Sequence, residues 1–136
     1  MMKSGITRIR LLQITLAIGS LYYLIGAIAH FFGLTLFPWY DGHLHSVYHD
    51  TIITMAALLF SMLLAAVARD PVKNEDGLKV IKAAVIITTA LTLYMLEAVD
   101  FAAIGAPDKY PQAVVETVLL VVFYILLTVL SPRTKE

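Results

Sequence analysis

Three of the four histidines in this chain fall in the stretch FPWYDGHLHSVYHD at 37–50, beside Asp41 and Asp50 and without a single Lys or Arg. The fourth, His30, lies a short way upstream. Imidazole nitrogens and carboxylate oxygens, with no thiolate among them, are the donor set of Zn, Mn, Fe or Cu sites. The same groups pass protons near neutral pH. His45 and His49 stand four apart, a metal-ligand spacing on one helical turn, although Gly42 puts His45 at the edge of any helix. His43 and His45 also fit a solvated loop. Asp50, opening an apolar run, suits a helix N-terminus for capping and dipole reasons alone.

Two further carboxylates are harder to dismiss. Glu97 and Glu116 sit inside apolar runs, and between Lys82 and Arg133 the only basic residue is Lys109. A carboxylate within a membrane span costs roughly 2–3 kcal/mol at mid-depth, so it needs a partner or a function. The partners on offer are a histidine or a bound cation. Helical bundles with inward Glu and His hold di-metal centres. The Glu-x-x-His pairs of that chemistry are absent, since LEAVD at 96–100 supplies Asp100 instead. No Gly-rich phosphate loop and no Ser/His/Asp arrangement is present.

The elements that must position these groups follow from composition. The 136 residues are 60% hydrophobic and 15% charged, with a mean hydropathy of +0.82. A water-soluble domain of this size needs more polar surface, so lipid is the expected solvent and the bilayer the first partner. Zero net charge gives no footprint for nucleic acid. The lack of cysteine removes disulfides, iron–sulfur clusters and thiol nucleophiles. Four runs, at about 11–33, 50–68, 78–100 and 112–130, approach the roughly 20 apolar residues that cross a bilayer. Breakers separate them: Pro38 and Gly42; Pro71, Asn74 and Gly77; Gly105, Pro107 and Pro111. Backbone groups in lipid must pair within the segment, so the runs are expected to be helices. The chain is read as a single all-α domain over 1–136, an antiparallel bundle of four transmembrane helices.

Positive charge orients it. Nine Lys and Arg residues flank the ends of helix 1 and helix 4 that carry the termini and the 69–77 connection, against Lys109 alone at the other end. The positive-inside rule makes both termini cytoplasmic in the inner (plasma) membrane. Trp39, Tyr40, Tyr48, Phe101 and Tyr110 then mark the outer interface. MMKSGITRIR followed by an apolar run and AIA at 27–29 also has the form of a signal peptide. The run is long for that purpose and continues through Phe31 and Phe32, so helix 1 is read as a retained span.

Small residues suggest the inward faces. Gly19, Gly26 and Gly33 recur at sevens with His30 beside them. Ala57, Ser61 and Ala65 form a row that extends through Ile53 to His49. Ala83, Ala90 and Glu97 form another. At 1.5 Å per residue, His30, His49, Asp50, Glu97 and Glu116 all lie within two turns of the outer boundary. The expectation is one His/carboxylate layer built from these five, with His45 and Asp100 at its margin.

The order of features resembles a family of small bacterial four-span membrane proteins of unknown function. The residues that carry the likeness are PWYDGH at 38–43, YHDTIITM at 48–55, ARDPVKN at 68–74 and LSPR at 130–133. The resemblance implies the four-helix fold and no activity, cofactor or site residue. Where the family carries a histidine in helix 3, this chain has threonines, Tyr94 and then Glu97.

Three functions remain open on the sequence. The leading one is a membrane protein whose outer layer binds a cation, protons or a small ligand, with a divalent transition metal as the cofactor such a layer would take. The second is an accessory subunit, in a homo-oligomer or larger membrane complex, with no chemistry of its own. The third is a metal-dependent membrane enzyme.

Overall fold

The described residues form four helices, α1 (Met2–Phe32), α2 (Val47–Arg69), α3 (Glu75–Ala98) and α4 (Lys109–Leu130), with one 3-10 turn, Gly42–Leu44, between α1 and α2. The computed structural model describes residues 2–36 and 40–132, and side chains from residue 7 onward. Pro38 and Trp39 of the loop after α1, and Arg133 and Lys135 of the charge argument, lie outside the described residues. There is no strand among those described; one isolated bridge joins Leu36 and Tyr40. All four helices are long and apolar enough to cross a membrane.

The helix ends explain the boundaries. Glu75 and Asp76 lie in the first turn of α3, where the positive end of the helix dipole favours them. Pro111 falls in the first turn of α4 rather than before it. A proline is tolerated there because no intrahelical partner waits for its missing N–H. α1 stops in a Schellman motif: Leu34 N–H bonds to Ala29 O at 2.9 Å and Gly33 N–H to His30 O at 3.3 Å. Gly33 supplies the left-handed residue this stop requires, at φ 61°.

α1 packs most extensively on α2, α4 contacts both α1 and α3, and α2 meets α3. Neighbours in sequence are therefore neighbours in space, which closes an antiparallel ring. Leu12, Leu16, Leu64, Val67, Leu78, Ile81, Val85 and Leu127 form one buried cluster. All eight belong to the half of the bundle that carries the termini. In that half Arg8 also donates to the carbonyl of Val129, and Gln13 to the carbonyl of Arg69. Near mid-depth Ser20 and Ser61 clasp α1 to α2. Each hydroxyl donates to the other residue's carbonyl, at 2.9 and 2.8 Å. Close packing and interhelical bonds of this kind hold helix pairs together even where the surroundings supply no hydrophobic drive.

The opposite half is looser. The buried residues of α3 are Leu78, Ile81 and Val85, all in its first half. Beyond them α3 leaves a cavity between α1, α2 and α4 uncovered by its own side chains. Outward surfaces are strongly apolar throughout: Phe32 is 65% exposed, Met62 67% and Tyr94 69%. That surface would drive aggregation in water and is what a bilayer solvates.

Candidate functional site

Asp50 is the hub of the site. It sits in the first turn of α2, yet it is only 4% exposed. Its Oδ2 accepts the Ser46 N–H at 2.6 Å, a reach-back to the N-cap backbone like that of a capping box but made from one position further into the helix. Its Oδ1 lies 2.5 Å from His30 Nδ1 and accepts the Tyr40 hydroxyl at 3.1 Å. His45 Nδ1 stands 3.2 Å from the Tyr40 oxygen and 3.4 Å from Asp50 Oδ2. One proton arrangement satisfies all of these contacts. His30 Nδ1–H and Tyr40 O–H donate to Asp50, and His45 Nδ1–H donates to Tyr40.

Backbone geometry brings the loop onto the two helices. Leu36 and Tyr40 exchange both backbone hydrogen bonds, at 2.7 and 2.8 Å. This sets the Tyr40 ring against His30, with centroids 4.1 Å apart. Gly42 then crosses the end of α1 so closely that a Cβ would lie 2.2 Å from the Gly33 carbonyl oxygen. The His45 ring fits against Gly33, where a Cβ would come within 3.0 Å of its Cγ. Asp41 caps the 3-10 turn by accepting the His43 N–H at 3.0 Å. From α4, the Lys109 ammonium lies 5.8 Å from the centre of the Tyr40 ring.

Burial, the hydrogen bond to Asp50, and the charges of Asp50 and Asp41 push the Tyr40 hydroxyl up to about 12. At neutral pH Tyr40 is therefore a donor, which keeps Asp50 in the role of acceptor. With Nδ1–H given to Asp50, the lone pair of neutral His30 resides on Nε2. That nitrogen has no hydrogen-bond partner among the described residues. His30 also forms part of the wall of the cavity between α1, α2 and α4, of about 400 Å³, with Glu116 contributing from α4.

Of the residues expected in one layer, the structure brings together His30 and Asp50, joins His45 to them and leaves Glu116 on the cavity wall. It separates the others. His49 is exposed and bonds locally through Nδ1 to Ser46 Oγ at 3.0 Å. The strict fourfold row through Ala57 and Ser61 does not run parallel to the helix axis. The buried face of α2 follows Asp50, Thr54, Ser61 and Leu64 instead. Glu97 is exposed on α3 together with Ala83 and Ala90; the bulky residues, not the small ones, face the core of this helix. Asp100 turns away to accept the N–H groups of Ala102 and Ala103 at 3.1 and 3.0 Å. His43 is exposed in the loop.

Tyr40 was legible only as an interfacial aromatic. Ser46, whose backbone N–H completes Asp50, carried no signal beyond its place before an apolar run. Among the described residues no group of three or more His, Asp or Glu side chains is arranged to hold a metal ion. Protein donors already occupy both Asp50 oxygens.

No family model, curated protein or solved structure matches this chain.

Proposed function

We propose that this is a multi-pass protein of the inner (plasma) membrane, with both termini cytoplasmic, whose outer end carries a proton-accepting histidine that contacts a small ligand. The observation that carries the reading is the 2.5 Å contact between His30 Nδ1 and the buried, fully hydrogen-bonded carboxylate of Asp50. A carboxylate held on Nδ1 fixes the imidazole tautomer and ring orientation and leaves Nε2 as the base. Three elements, α1, the loop and α2, converge to orient one imidazole, and His30 is part of a cavity wall. A cluster serving only to join α1 and α2 has no need of a cavity behind it.

The test is nitrogen-15 NMR of labelled His30 in micelles. Neutral His30 is expected as the Nδ1–H tautomer, and Asp50→Asn, which puts an amide N–H₂ beside the ring, is expected to populate the Nε2–H form. An Nε2–H tautomer in the wild-type protein contradicts the proposal.

A further inference from the structure

We infer that the cavity between α1, α2 and α4 binds a neutral, hydroxylated aromatic lipophile, with the ligand hydroxyl donating to His30 Nε2. The inference rests on the reading of His30 as a base and adds the occupant. The volume, about 400 Å³, falls within the range of small-molecule sites. The walls are apolar and aromatic: Tyr22, Tyr23, Ile25, Leu36 and Ile53, with Gly26 as the floor. Tyr23 is held edge-on to Phe60, with centroids 4.8 Å apart, so it presents a fixed ring to a planar guest. At Gly26 a Cβ would meet nothing within 4 Å; the space there is open, not filled by a neighbour.

The polar groups select the chemistry of the guest. Glu116 on the wall argues against an anion. A bare cation finds no second free carboxylate, because both Asp50 oxygens already accept from protein donors. A plain acyl chain leaves both His30 Nε2 and Glu116 unsatisfied in an apolar space, which is costly. A ring that fills the apolar volume is neither an anion nor a bare cation, and one hydrogen bond donated to Nε2 satisfies the nitrogen that an acyl chain would leave unpaired. Such a compound partitions into the bilayer, and the looser outer half of the bundle opens to it.

The probe is para-(trifluoromethyl)phenol, compared with its methyl ether, followed by fluorine NMR on the full chain in micelles. Saturable binding of the phenol is expected, with the ether about tenfold weaker, the effect of one hydrogen bond in an apolar site. Gly26→Leu and Ala57→Phe, which fill the cavity from α1 and α2, should each abolish binding of both compounds. Gly26→Leu replaces a poor helix former by a good one, and circular dichroism checks that both variants fold. His30→Phe should bring the phenol down to the level of the ether. No saturable binding of either compound overturns the cavity as a site while leaving the tautomer of His30 untouched. Equal binding of phenol and ether, lost in Gly26→Leu, overturns the hydroxyl-to-His30 contact and with it the inference, while the nitrogen-15 spectrum still decides the His30 tautomer. Binding unchanged in both cavity-filling variants places the probe elsewhere and also overturns the inference.

Discussion

Asp50 and His30 meet at 2.5 Å although twenty residues separate them, and this contact ties the last turn of α1 to the first turn of α2. Removing the carboxylate leaves the Ser46 N–H, the Tyr40 O–H and His30 Nδ1–H without their acceptor. Asp50→Ala is therefore expected to destabilise by about 3 kcal/mol, the scale for orphaning a buried, charge-assisted network. In a double-mutant cycle with His30→Ala, the coupling should be roughly 1–3 kcal/mol. Reversible unfolding in mixed micelles measures both. A coupling near zero would show that the two side chains do not share a bond.

Tyr40 makes the site sensitive to alkali. Its ordinary value of 10.0 is pushed up to about 12 by burial and by Asp50. A hydroxyl whose proton is held more tightly in the folded state contributes fully below pH 10. That contribution falls away as pH rises from 10 towards 12. In ultraviolet titration the late-ionising component of the wild type should shrink by one tyrosine in Tyr40→Phe, and the stability difference between the two should shrink across that window. A wild-type titration without a late component attributable to Tyr40 contradicts this account.

Two glycines of α1 should respond in opposite senses to alanine. Gly33 has φ 61° and the His45 ring beside it, so Gly33→Ala should lose about 1–2 kcal/mol through left-handed strain. Gly26 lies in regular helix with open space at its Cβ. Gly26→Ala should gain about 0.5–1 kcal/mol. Thermal unfolding of the pair tests this; a loss in both would mean that Gly26 is also a point of close approach.

The four helices were legible because long apolar runs, of the length a bilayer crossing needs, dominate the chain, and nothing else in the chain competes with that pattern. His30 and Asp50 were legible for a similar reason: ionisable groups near the ends of such runs need partners. The orientation of α2 was not. A row of residues four apart advances about 400° per step, a drift of about 40°, so extrapolating from Ser61 to His49 over three steps swings about 120° off the face. Alternating steps of four and three, Ser61, Ala57, Thr54 and Asp50, hold the face to within a few tens of degrees. α3 failed for a different reason. Small residues mark an interface only where two backbones approach, and on α3 the approach is filled by Leu78, Ile81 and Val85. The loop contacts of Tyr40 and His45 depend on the Gly33–Gly42 crossing, a tertiary event with no periodicity to announce it.

The same geometry makes a prediction for the residues left outside the cluster. His49 bonds only to Ser46 at the exposed start of α2, and Glu97 is exposed on α3. Substitutions at exposed positions away from networks generally stay within about 0.5 kcal/mol. His49→Ala and Glu97→Gln should therefore unfold with wild-type stability and leave the His30 tautomer unchanged, whereas Asp50→Ala, one residue from His49, should alter both. The adjacent pair is the sharper comparison, because a general weakness of the α2 terminus would affect the two variants alike. Only a buried, shared carboxylate separates them. A loss above about 1 kcal/mol in His49→Ala would mean that α2 is rotated from the orientation that buries Asp50, and the His30 contact would have to be reassigned with it.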